Sequence, residues 1–150
     1  MRKNKKRNHQ KHPVPNHKYK DRLFRLVFNN KRDLLDLYNA LNNTCYENPN
    51  DLEVNTLEDA VYLSMKNDIS FLIGGTLNLY EHQSTYNPNM PLRGLIYLAR
   101  LYDGYVETEN INLYSSTLKK LPIPQYFVFY NGTKEQPDET ILQLMDAFES

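Results

Sequence analysis

The chain has no tryptophan and a single cysteine, Cys45. One thiol excludes an internal disulfide and any zinc cluster built on cysteines. A reducing, cytoplasmic setting is the simplest expectation. No apolar run approaches the roughly 20 residues of a membrane span, so no membrane association is expected. The N-terminus is basic but lacks the apolar stretch of a secretory signal. Glycine is scarce, at five residues, and two of the five are adjacent, Gly74 and Gly75. They do not make a Gly-rich phosphate loop, and a tight turn accounts for them. Internal repeats are absent as well.

Acidic residues are missing from one end. Residues 1–20 hold eight Lys/Arg and no Asp or Glu, which leaves ten Lys/Arg against all eighteen acids in the remainder. The neutral total therefore splits into a tail near +8 and a body near −8. Residues 1–18, MRKNKKRNHQKHPVPNHK, have too little apolar surface to bury and are interrupted by two prolines, so a disordered tail is expected. Such a tail suits phosphate contact on nucleic acid; equally, it suits a solubilising arm lying against its own acidic domain. The histidines within it, His9, His12 and His17, are too irregularly spaced to suggest a metal site. Residues 19–150 are long enough for one domain with a real core.

Apolar spacing then sets the elements. Leu23, Phe24, Val27 and Phe28 form a helical stripe over residues 19–30, and Leu34, Leu35, Leu37, Tyr38 and Leu41 continue it over 33–42. Residues 52–55 read as a short strand. Thr56 reads as the N-cap of a helix with Glu58 and Asp59 in its first turn. Two β-rich runs flank Gly74-Gly75, a strong two-residue hairpin signal. Pro91 suits the first turn of a further helix. Leu92, Leu95, Ile96 and Ala99 are expected to form its buried face, with an end near Gly104. IPQYFVFYNG is a strand and turn, and ETILQLMDAF fits helix or strand. The order predicts an α/β fold with a mixed sheet and flanking helices.

With the two glycines as the turn, Ile73 faces Thr76 and the register carries Asp68 opposite Glu81. Cross-strand partners share a face, with Cβ atoms roughly 4.5–5.5 Å apart. Gln83 lies two residues further along that face, Lys66 falls opposite Gln83 if the register continues, and His82 points the other way. Two adjacent carboxylates repel unless something positive sits between them. Mg²⁺ is one such partner: it takes oxygen ligands and few carboxylates. Acids at strand ends near solvent are the plainer explanation.

The stretch NDISFL…LYEHQSTYNPNMPLRGLIYLARLY, with KDRLFRLVF, LLDLYNAL, NTLEDAVY and IPQYFVFYNG around it, resembles the bacterial recombination-promoting nuclease/putative transposase family within the PD-(D/E)XK nuclease superfamily. The resemblance covers the chain from about Tyr19. It implies a restriction-endonuclease-like core and Mg²⁺-dependent (or Mn²⁺-dependent) phosphodiester hydrolysis on DNA. It implies Asp68 and Glu81 as metal carboxylates, Gln83 at the position where the superfamily has Lys, and Asp21 as a further acidic residue reaching the site. Gln83 removes a cationic donor, and Lys66 is a candidate to restore one. Relatives continue past the FVFY strand, so a domain cut short at its C-terminus is expected, and oligomeric state, including a dimer, stays open.

Arg93, Tyr97 and Arg100 recur at i, i+4 and i+7 on the helix face away from Leu92, Leu95, Ile96 and Ala99. They read as a row that contacts phosphate or supports the site, or as an ordinary solvated face. His82 reads as a filler. Tyr126, Phe127, Phe129 and Tyr130 read as strand and core, and Cys45 as a loop residue without a nucleophilic role. The two function classes that result are a Mg²⁺-dependent DNA endonuclease and a catalytically weak or inactive nuclease-like module that binds nucleic acid or protein.

Overall fold

The structure, a computed structural model, describes residues 24, 26, 28–55 and 68–149, with Asn55 and Asp68 described by backbone alone. Its elements are helix α1 (Lys31–Asn42), strands β1 (Glu53–Asn55), β2 (Asp68–Ile73) and β3 (Thr76–Gln83), helix α2 (Met90–Thr108) and strand β4 (Ile123–Tyr130). The fold is mixed α/β. The basic tail, the Thr56 helix, Asp21 and Lys66 lie outside the described residues.

Helix α1 begins where Asn30 caps it: the Asn30 side chain accepts from the Arg32 amide at 2.9 Å, satisfying one of the free N–H groups of a first turn. It ends at Asn43, held in the left-handed conformation at φ 52°. Its buried residues are Leu34, Leu35 and Tyr38. Before it, Phe24, Leu26 and Phe28 are helical, in keeping with the stripe expected there.

The four strands lie in the order β1-β2-β3-β4. β1, β2 and β3 form an antiparallel meander. β4 runs parallel to β3, which requires a crossover, and α2 is that crossover. The β2–β3 register follows the turn count, from Ile73↔Thr76 to Asp68↔Glu81. The turn itself has φ 56° at Gly74 and 81° at Gly75, positive at both central positions as a type I′ hairpin requires. A Cβ at Gly74 would also strike the Tyr46 hydroxyl.

β3 is covered on both faces. On one, Tyr80 joins Phe71, Ile73, Leu34, Leu35, Tyr38, Phe28 and Leu52, with Phe127 and Phe129 packed alongside. Tyr80 meets Phe71 at 5.0 Å and Phe127 at 5.4 Å, both edge to face, the favoured geometry for rings with a negative face and positive edge. His82 is on this side, 4.8 Å from the Phe24 ring, as the alternation expects. On the other face Leu77 and Leu79 pack against Tyr97 and Leu101 of α2, with Tyr126 beside them.

Three expectations are corrected. α2 buries Met90, Gly94, Tyr97 and Leu101, while Leu92, Leu95 and Ile96 are 41–45% exposed. The helix carries two stripes at helical spacing, and the one that fits the sheet includes the glycine and the tyrosine. Gly104 does not end the helix, which runs on to Thr108; Asn110, at φ 51°, closes it. The C-terminal segment is neither a full helix nor a strand: it holds one 3-10 turn, Leu144–Ala147, within irregular chain.

Placing alanine at Gly74 forces a side chain into the left-handed region, which costs about 1–2 kcal/mol per residue, and adds the collision with Tyr46. Gly74→Ala is therefore expected to lower unfolding free energy by at least about 1 kcal/mol, read from the urea midpoint at constant slope. An unchanged midpoint would show that the turn adopts another geometry.

Candidate functional site

Glu81 is third from the end of β3 and is fully buried. An isolated carboxylate in that position is strongly disfavoured unless it is paired and hydrogen-bonded. Three donors from three elements meet it. Gln83, on the same strand face, gives its side-chain N–H to Oε1. Arg93, in the first turns of α2, brings a guanidinium nitrogen to within 2.6 Å of Oε1. Tyr126, on β4, donates its hydroxyl to Oε2.

Each donor is placed by a local feature. The residue alternation of β3 puts Gln83 beside Glu81. The parallel register pairs Tyr126 with Leu79, so Tyr126 shares the face of Leu79 and Glu81, while Phe127 and Phe129 turn to the other side. Gly94 lets α2 approach: a Cβ there would overlap the Tyr126 ring. The packing of Met90, Gly94, Tyr97 and Leu101 on the sheet brings Arg93, one step around the helix, to the edge of Glu81. Tyr97 then secures the guanidinium, its hydroxyl accepting at 3.0 Å and 3.4 Å from two guanidinium nitrogens. The guanidinium carbon also lies 5.6 Å from the Tyr97 ring centroid, within cation–π range. A weak contact to the Met90 sulfur at 3.7 Å completes the set.

Burial works against the charge on Arg93, but the Tyr97 hydrogen bond and the negative charge of Glu81 outweigh it, so its pKa is held above the ordinary value. The site is thus a buried anion neutralised by a guanidinium that keeps 34% of its own side chain in water.

Of the residues expected from sequence, Glu81, Gln83, Arg93 and Tyr97 come together. Asp68 is the cross-strand partner of Glu81 in the register, with its side chain outside the description. Arg100 is exposed. Tyr126 lies in β4 and packs beside Leu77 and Leu79, as its reading as strand and core expects, and its hydroxyl is in addition the third donor; the alternation within FVFY and the pairing of β4 with β3 are the signals that point to that second role. Among the described residues no group of three or more His, Cys, Asp or Glu gathers, and no helix is long and apolar enough to cross a membrane. A surface cavity of about 410 Å³ is lined by Leu113, Ser115, Ser116, Thr117, Leu118 and Lys119, none of them site residues.

No family model, curated protein or solved structure matches this chain.

Tyr126→Phe removes one hydrogen bond to a charged group and is expected to destabilise by about 2 kcal/mol. Gly94→Ala gains roughly 1 kcal/mol of helix propensity. It should nonetheless destabilise by about 1–3 kcal/mol, because the new methyl overpacks the Tyr126 ring. Denaturant unfolding of both variants checks this; a stabilised Gly94→Ala would mean that α2 stands further from β4.

Proposed function

We propose that the chain is a metal-dependent DNA endonuclease of recombination or mobile-element type, built on a restriction-endonuclease-like core. The observation that carries the reading is the register Asp68↔Glu81. It sets two acids side by side on neighbouring strands, with Gln83 two residues beyond Glu81. The order of a meander of strands, a crossover helix and a further strand is also the one the sequence resemblance implies.

The donor chemistry fits a hard divalent cation. Glu81 and Asp68 would hold it, and the Gln83 amide, which gives its N–H to Glu81, has a carbonyl oxygen of the kind Mg²⁺ and Mn²⁺ accept. A carboxylate offers about four acceptor positions; three at Glu81 are taken, and one on Oε2 remains. Held by these residues, Mg²⁺ would supply an activated water and balance charge on a phosphoryl oxygen. Gln83 fixes the Glu81 carboxylate and orients the water or the scissile phosphate. Arg93 supplies a planar fork for phosphate oxygens. The body of the chain is acidic, so the basic tail is the natural source of non-specific phosphate contacts. Lys66 and Asp21 remain proposals resting on sequence.

A second reading has its own observation. Glu81 is neutralised and fully enclosed, which is how a purely structural carboxylate is held. That arrangement favours a nuclease-like module that binds nucleic acid or protein without cleaving.

Supercoiled plasmid incubated with the chain and Mg²⁺ separates the two. The endonuclease reading expects nicking that falls to background in Asp68→Ala and in EDTA. A folded wild-type chain that neither nicks plasmid nor gains thermal stability from Mg²⁺ would leave the binding module as the better description.

A further inference from the structure

The positive charge against Glu81 belongs to the protein itself. Arg93 occupies Oε1 at 2.6 Å, so a divalent cation approaching the same carboxylate meets a like charge and a carboxylate that is already neutralised. Gln83 and Tyr126 hold two further acceptor positions. These neutral donors do not compete with a cation in charge; they fix the carboxylate's orientation whether or not Arg93 is present. Arg93 is different. It is the one donor of the three that is both charged and a third exposed, with 34% of its side chain accessible against 1% for Glu81. It is also the donor best matched to another ligand, because guanidinium forms paired hydrogen bonds to phosphate oxygens. Tyr97 contacts it by hydroxyl and ring from the same helix, so a small swing away from Glu81 need not break its contact with Tyr97.

We propose that Arg93 is a displaceable counter-ion for Glu81: it occupies the carboxylate and excludes a divalent cation until a nucleic-acid phosphate draws the guanidinium away. Phosphate binding and metal binding at Glu81 are then positively coupled, and by linkage each strengthens the other by the same factor. The inference rests on the nuclease reading for the identity of the incoming cation and phosphate. Arg93 acts here through Glu81 and is a positioning residue.

The test titrates Mn²⁺ into the full chain, following free Mn²⁺ by electron paramagnetic resonance, with and without a short DNA duplex and with the duplex alone as blank. Without DNA, Arg93→Met is expected to bind Mn²⁺ about tenfold more tightly than wild type, and the added Glu81→Gln substitution to abolish that gain. The duplex should tighten Mn²⁺ binding to wild type by a similar factor and leave Arg93→Met unchanged. A merely structural Arg93 would move stability and leave these affinities alone. Equal Mn²⁺ affinity of folded Arg93→Met and wild type overturns the proposal. If circular dichroism shows Arg93→Met unfolded, the wild-type comparison decides: no change on adding duplex overturns it. Plasmid nicking by wild type with no Arg93 effect on metal sinks the counter-ion and leaves the nuclease reading standing. Tighter Mn²⁺ binding in Arg93→Met with no nicking by wild type does the reverse, and Mn²⁺ bound by neither protein sinks both.

Discussion

A carboxylate enclosed by protein needs its charge balanced and its lone pairs filled, and at Glu81 this requirement binds three elements to one point. β3 contributes the acid and Gln83, β4 contributes Tyr126, and α2 contributes Arg93. Because β4 is reached only through α2, the crossover is held at its start and at its return by the same side chain. The rotation of α2 follows. For Arg93 to reach Glu81 while Tyr97 and Leu101 pack on Leu77 and Leu79, the stripe Leu92, Leu95 and Ile96 has to face outward, although by composition it is the more apolar of the two. Burial of that stripe would leave the carboxylate without its cation, and breaking a buried pair is strongly destabilising. The ion pair and the glycine contact decide the helix face against simple hydrophobicity.

The same strand separates two kinds of interior. On the side of α1, aromatic rings in edge-to-face contact fill the space around Tyr80. Burial, with the neighbouring Tyr38 adding to it, pushes the Tyr80 phenol well above its ordinary pKa, so it stays neutral. The α2 side combines packing of leucines with Tyr97 and Tyr126 with a charged, hydrogen-bonded end at Glu81. Charge is thus confined to the far end of one sheet face, beside the first turns of α2. Gly94 lies at the junction. A glycine within a helix costs roughly 1 kcal/mol relative to alanine, and here the Tyr126 ring occupies the volume an alanine methyl would need.

Local rules made much of the site legible in advance. Two glycines flanked by β-rich runs permit one tight turn, and strand alternation then determines which residues oppose each other; Asp68 opposite Glu81 needs nothing from the rest of the chain. Pro91 in the first turn of α2 and the strand IPQYFVFY are legible for the same reason, since each depends on neighbours in sequence. What spacing could not decide was which of two helical stripes α2 would bury, or that Tyr126 would give its hydroxyl to Glu81. Both depend on β4 aligning beside β3 across a long connection. Gly104 is an available stop for α2 and Asn110 the one used; a helix packed on a sheet can continue through a glycine that an isolated helix would end on.

The hairpin, its register and the pairing of acids follow from local sequence, because backbone periodicity over a few residues sets them. The surroundings of Glu81 come from packing between distant elements. Arg93 and Tyr126 stand twelve and forty-five residues away along the chain, and they become its partners because an enclosed charge must be met by whichever donors the packed elements bring within hydrogen-bond reach.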